Sequence, residues 1–317
     1  MSLSYFEHIR LAESEPKYVH GWIFPGQGGH QPGMGEELAR SDSKIADLYD
    51  VAFQIVGYDF LEKSKQVDLA KRTDIAQPLI FTYNTACESL FSRMHKVHNP
   101  QVLAGHSLGQ YNALVRSGAL SFADALFLVT QRGIAMQQAC EDNPSSKFVV
   151  LSRSPKELIA LESELTKRGV YLGVANSPYQ KVFGGRLPEV EEAKAFLATQ
   201  NVKVIPLPVA GAFHTPLMES AILPMKRAMG EVTVKRPRTP VILNTTANIA
   251  ETPNDIEKEI IAHLIKPVQW EQTMQVMDDL NVGQLLEFGN KSILTRMLGE
   301  NSSLVTFSTV ASKMNLQ

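Results

Sequence analysis

Residues 101–118 read QVLAGHSLGQYNALVRSG. The apolar run QVLAG has the length and character of a buried strand, and YNALVRSG has the spacing of a short helix ended by Gly118. Between them GHSLG, residues 105–109, matches the GxSxG nucleophile elbow, a sharp strand-to-helix turn that exposes a serine hydroxyl. Glycines on either side remove side chains that would clash in such a turn and leave Ser107 at a helix N-terminus. The competing reading is a Gly-rich turn whose serine only caps a helix.

Outward from the elbow, the chain alternates. VHGWIF at 19–24 is a short apolar run that stops at Pro25, and PGQGGHQPGM then reads as a tight loop. From Gln77 to Val97 apolar positions fall at helical spacing, and after the elbow SFADALFLVTQRGIAMQQA forms a longer helix with Ser121 as its N-cap. The stretch 147–206 changes character: strand KFVVLSR, helix PKELIALESELTKRG, strands VYLGVA and QKVFGG, helix LPEVEEAKAFLATQ, strand VKVIPL. That βαββαβ order is the split βαβ arrangement of ferredoxin-like domains. A helix at 216–230, strand PVILN, a helical stretch at 254–280 and strands VGQLLEFG and SLVTFST complete the alternation of a mostly parallel α/β sheet. The expected organisation is an N-terminal extension at 1–18, a large domain at 19–145 and 207–317, and a small subdomain inserted at 146–206.

Composition excludes several classes. A chain of 317 residues, 44% hydrophobic and 20% charged, can bury a sizeable core and is far from a disordered composition. A net charge of −2 gives no global attraction to nucleic acid or anionic lipid, so neither nucleic acid nor a membrane is an expected partner. No run of apolar residues is long enough to span a bilayer, and the first residues carry no export signal. The two cysteines, Cys87 and Cys140, form no CxxC pair, and no Cys/His cluster has zinc spacing; a cytoplasmic protein without bound metal is expected.

A serine hydroxyl is a weak nucleophile until a base takes its proton. Of the eight histidines, His106 neighbours the nucleophile and should point away from it. His214, in PVAGAFHTPLM, sits in a loop after a strand and just before a helix opened by Pro216, and is the better base. An α/β-hydrolase triad would need an acid between serine and histidine in the chain. Asp124 and Asp142 are the only aspartates there, and neither follows a strand of the main sheet, so a Ser-His dyad is expected. Thioesters suit a dyad, because a thiolate leaves with little protonation. The carbonyl oxygen that becomes negative in acyl transfer needs N–H donors. Leu108, directly after the nucleophile, supplies one, and Gln27 in FPGQGG could supply another. That loop has neither GxxxxGK[ST] nor GxGxxG spacing, so it is not read as a phosphate cradle.

FPGQGGH, GHSLGQYNAL, TQRG, NSPYQKVFGG, GAFHTPLM, PVILNTTA and KPVQW follow one another in this order. The chain from about Gly21 to Leu298 thereby resembles the malonyl-CoA:acyl carrier protein transacylase family, with a lean towards the free-standing acyltransferases that serve polyketide synthases. The resemblance implies an α/β-hydrolase-like parallel-sheet core with an inserted ferredoxin-like subdomain. It also implies ping-pong transfer of a malonyl group from coenzyme A to a carrier-protein thiol through acyl-Ser107, with His214 as base and no permanently bound cofactor. Arg132, in TQRG, falls where the family's arginine grips the malonyl carboxylate; a guanidinium makes a planar two-point clamp on a carboxylate. The alternative placement for Arg132 is a charged helix face.

Some residues depart from the family pattern. His263 stands where a glutamine carbonyl orients the catalytic histidine, and is a possible orienting residue. His30 replaces a glutamine of the first loop, Asn290 replaces a proline, and SSKFVVL lacks the small, Gly-rich approach to the subdomain. The main alternative activity is a hydrolase of the same fold that clears stalled acyl groups from carrier proteins. An acidic carrier protein should meet a basic patch, for which Lys203, Lys226, Arg227, Lys235, Arg236 and Arg238 are candidates.

Overall fold

Strands that are apolar throughout need cover on both faces, which a parallel sheet with flanking helices provides. Val102–Gly105 (β2) is such a strand, as are the last four residues of Val19–Phe24 (β1), and the two pair in parallel. The computed structural model describes residues 19–94, 99–298 and 305–309; the expected extension at 1–18 lies outside them. Between β1 and β2 come helices Glu36–Ser41 (α1), Ser43–Val56 (α2), Phe60–Ser64 (α3) and Thr73–Met94 (α4). Gly109–Ser117 (α5) and Phe122–Asp142 (α6) follow the elbow, and Ser121 caps α6 by accepting from the Asp124 N–H. Next come Ser145–Leu151 (β3), Pro155–Lys167 (α7), Tyr171–Ser177 (β4), Gln180–Arg186 (β5), Leu187–Leu197 (α8) and Lys203–Leu207 (β6). The remainder is a 3-10 turn at Pro216–Ala221, Ile222–Met229 (α9), Val241–Ile242 (β7), Pro253–Ile265 (α10), Val268–Gln269 (β8), Trp270–Asp279 (α11), Val282–Phe288 (β9), Leu294–Met297 (α12) and Val305–Thr309 (β10).

The main sheet runs β10-β9-β1-β2-β7 and every pair in it is parallel, so the fold is α/β around a parallel sheet. A second sheet runs β6-β3-β5-β4-β8, antiparallel except for its last pair. Period-two alternation divides β3 between two environments. Phe148 and Val150 pack with Leu158, Leu161 and Val190 under α7 and α8, whereas Val149 joins Ile23 and Ala104 of the main sheet.

The structure refines several expectations. Helix α4 begins at Thr73, four residues before the expected Gln77, and carries Pro78 inside it. Near its first turn, Gly133 of α6 makes room: a Cβ there would lie 3.0 Å from the Asp74 Cα. The helical stretch at 254–280 is two helices, because Pro267 breaks it and the next two residues leave as β8 to pair with β4. The helix at 216–230 opens as a 3-10 turn and ends at Met229.

Candidate active site

Ser107 stands at the C-terminal end of β2 with φ 55°, a left-handed conformation that costs energy for a non-glycine residue. The glycines beside it are dictated by close approach. A Cβ on Gly105 would lie 2.0 Å from the Gly109 carbonyl carbon, and one on Gly109 would lie 2.0 Å from the Phe24 oxygen. What holds the strained turn is Asn244, just after β7. Its Oδ1 accepts from the Ser107 N–H at 2.7 Å, its Nδ2 donates to the Gly105 oxygen at 2.6 Å, and its own N–H donates to Gln110 Oε1 at 2.8 Å. The next residue, Thr245, is tied down by Glu259. Asn244→Ala is expected to lower the rate of Ser107 acylation by roughly ten- to a hundredfold, since small misplacements of a nucleophile carry costs of that size. Single-turnover labelling with an acyl-CoA checks it; an unchanged rate would mean that the turn holds its geometry without this residue.

The structure brings Ser107 and His214 together, with Oγ 2.7 Å from Nε2. His214 also has positive φ, 64°, and its Nδ1 lies 2.6 Å from the His263 carbonyl oxygen. A carbonyl only accepts, so Nδ1 carries the proton and Nε2 presents a lone pair to the serine hydroxyl. Burial, reinforced by the neighbouring charges of His263, Lys147 and Arg132, holds the His214 pKa well below that of a free imidazole. Asp124 and Asp142 are elsewhere, Asp124 accepting from Ser121 and Asp142 from Gln138. His263 therefore meets His214 through its main chain; its ring stacks on the His214 ring with centroids 4.6 Å apart. The loop bearing His214 is fixed by the Ala212 N–H, which donates to Ser145 Oγ at 3.0 Å.

His106 faces away from Ser107. Its Nε2 is 3.0 Å from Asn176 Oδ1, its ring meets Trp270 edge-on, and burial brings its pKa down to about 4. The loop containing Gln27 rests on the elbow, where a Cβ on Gly26 would lie 2.6 Å from the His106 oxygen. Asn290 clips the same loop by donating to the Gly29 oxygen at 2.9 Å.

Arg132 is not on a charged helix face. It is 2% exposed, and Nη1 donates to Gln77 Oε1 at 2.6 Å while Nε and Nη2 have no partner. Thr73 Oγ1 accepts from both Gln77 and Gln27, at 2.9 and 3.1 Å, so one chain of side chains joins the Gln27 loop to the arginine. Asn244, Gln77 and Thr73 escape a sequence reading, although PVILNTTA contains the first. Among the described residues no group of His, Cys, Asp and Glu side chains is arranged to hold a metal ion.

A parallel-sheet fold with a serine elbow and a paired histidine defines an acyl-group transferase or hydrolase, and the family decides between them. Residues 21–302 match the model of the acyl transferase domain family, and the chain belongs to that family. Over 277 residues it is 34% identical to the mitochondrial malonyl-CoA-acyl carrier protein transacylase of Homo sapiens, covering 83% of this chain and 70% of that one. With the malonyl CoA-acyl carrier protein transacylase of Bacillus subtilis it shares 31% identity over 282 residues, covering 87% and 88%. Among solved structures, FabD from Acinetobacter baumannii superposes with a TM-score of 0.86 at 30% identity, covering 94% of this chain and 96% of that one. A malonyl-transacylase in complex with its type II PKS acyl-carrier protein, PlMCAT:AntF, gives 0.85 at 27% identity, covering 94% and 98%.

Proposed function

We propose that this protein moves a malonyl group from coenzyme A to the phosphopantetheine thiol of an acyl carrier protein, for fatty-acid or polyketide synthesis, through an acyl-Ser107 intermediate. The observation that carries the reading is the Ser107–His214 contact of 2.7 Å beside a buried arginine with two unpartnered nitrogens. His214 Nε2 takes the proton as Ser107 Oγ attacks the thioester carbonyl carbon. The C–S bond then breaks, and the proton passes to the departing coenzyme A sulfur. In the second half the carrier thiol gives its proton to His214 and attacks the acyl ester, and the proton returns to Ser107. The main-chain N–H groups of Gln27 and Leu108 hold the oxyanion in both halves. Arg132 clamps the free carboxylate of the malonyl group through Nε and Nη2.

The strand order β6-β3-β5-β4, with α7 and α8 on one face, supports the ferredoxin-like reading of the small subdomain at 146–206, set into an α/β-hydrolase-like core. The exposed Lys226, Arg227, Lys235, Arg236 and Arg238, on α9 and the loop after it, are proposed to receive the acidic carrier; Lys203 lies apart on β6. Both cysteines are free and buried, which fits the proposed cytoplasmic location; no described helix is long and apolar enough to cross a membrane. The hydrolase alternative draws no support from the named relatives.

The test is to expose the protein to labelled malonyl-CoA and acetyl-CoA and follow label from protein to carrier. Arg132→Ala is expected to lower kcat/KM for malonyl-CoA by about 10²–10³-fold, with little effect on acetyl-CoA, because a polar site built for one substrate group discriminates strongly. Label released from the unaltered protein as free acid faster than it reaches the carrier would replace the transferase with a hydrolase.

A further inference from the structure

The approach to the subdomain, SSKFVVL, places a lysine where the fold turns a side chain inward. Lys147 lies on β3 two residues before Val149, on the face packed towards the main sheet rather than the face under α7 and α8. It is 6% exposed. Its stem crosses the neighbouring strands where two glycines leave space. A Cβ on Gly184 of β5 would lie 3.1 Å from the lysine Cγ, and a Cβ on Gly173 of β4 would lie 3.1 Å from Nζ. The same point over Gly173 is 3.0 Å from the Phe213 oxygen, so the ammonium arrives beside the residue that precedes His214.

A buried ammonium is costly unless it is paired, and protein interiors normally give it a carboxylate. Lys147 has none: among the described residues it makes no ion pair and no hydrogen bond. The charged and titratable groups acting at this spot are Arg132 from α6 and the imidazoles of His106 and His214. Burial, and then the Arg132 charge, bring the lysine pKa down to about 7. Two basic side chains thus act on each other with no carboxylate paired to either, and Arg132 keeps two nitrogens without a hydrogen-bond partner. Strain of this kind persists where a ligand relieves it.

We propose that Lys147 is a second cationic contact for the free carboxylate of the acyl group, acting with Arg132 to select dicarboxylic acyl thioesters over plain acyl thioesters. The inference rests on the proposed transfer of a carboxylated acyl group. Arg132 supplies the planar two-point contact from α6, and Lys147 supplies a point charge from the second sheet. The acyl group is thereby held between the two sheets, with its carboxylate at the cations and its thioester at Ser107.

Lys147→Met removes the charge and keeps the length of the side chain, and Lys147→Gln keeps some polarity. Rates of Ser107 labelling from malonyl-CoA and acetyl-CoA are compared in both variants and in the unaltered protein. Acetyl labelling needs Ser107 and His214 but no cation, so it reports an intact site. The expected result is a ten- to hundredfold fall in kcat/KM for malonyl-CoA with acetyl-CoA unchanged or improved, so that the preference for malonyl drops at least tenfold. A malonyl-to-acetyl ratio within twofold of the unaltered protein, or an equal loss of both substrates in both variants, overturns the proposal and leaves Lys147 a structural role. Those outcomes leave malonyl transfer standing. An unaltered protein with no preference for malonyl over acetyl would sink the functional reading and this inference together.

Discussion

Ser107→Ala is expected to lower acyl transfer by on the order of 10⁴–10⁶-fold and to leave the protein unlabelled after exposure to malonyl-CoA. The size of the effect follows from what the side chain does. In a ping-pong scheme no bond forms between donor and acceptor, so without the Ser107 oxygen there is no intermediate to partition. The substitution removes one atom from a turn whose shape is set by Gly105, Gly109 and Asn244, and the fold should survive it. Intact-mass measurement after incubation with malonyl-CoA checks the result. A persisting malonyl adduct would place the nucleophile elsewhere.

His214→Ala is expected to cost about 10³–10⁵-fold in the rate of acylation, and Ser107→Ala/His214→Ala together little more than the first alone, because the pair acts as one unit. The pH dependence has a definite sign. The imidazole works as a base only when neutral, and its pKa is held well below the ordinary 6.5, mainly by burial. The His214 contribution to kcat/KM should therefore stay level from pH 8 down through 6.5 and decline only at lower pH. Acetyl-CoA is the substrate for this measurement, since it isolates the base from the titration of Lys147 near 7. A decline centred at or above 6.5 would contradict the buried, neutral histidine. His263→Gln, which preserves the main-chain carbonyl that accepts from Nδ1, serves as a control with a small effect.

The alternation of strands and helices, the elbow and the order of the inserted elements were legible because each is local. Ser107 and His214 could be paired in advance through chemistry: an activated serine requires a base, and few histidines stood in a suitable loop. Asn244 was not legible in the same way. It follows a strand of two residues, and its role depends on a side chain meeting two main-chain groups of the elbow from a distant part of the chain. Arg132 could be assigned by resemblance, but its burial could not be read from helix periodicity, since a charged residue in a helix usually faces water. The inward face of Lys147 depends on strand register, which a one-residue slip would invert. The segment at 36–64, by contrast, carries helix signals that a reading centred on strands and motifs passes over: α2 is amphipathic, with Asp42 as its N-cap and Gly57 at its end. β8 is two residues long and is created by its partner β4, so nothing within it signals a strand.

That two-residue strand gears the molecule. Val268 and Gln269 pair with Val174 and Ala175 in the second sheet, while the Gln269 N–H donates to the Asn244 oxygen at 2.7 Å, one residue-length from the group that grips Ser107. Tilting the second sheet would pull on β8, and β8 would pull on Asn244. Ser107 and the strands that carry Lys147 are consequently linked parts, and loosening one sheet would shift the serine hydroxyl at the same time.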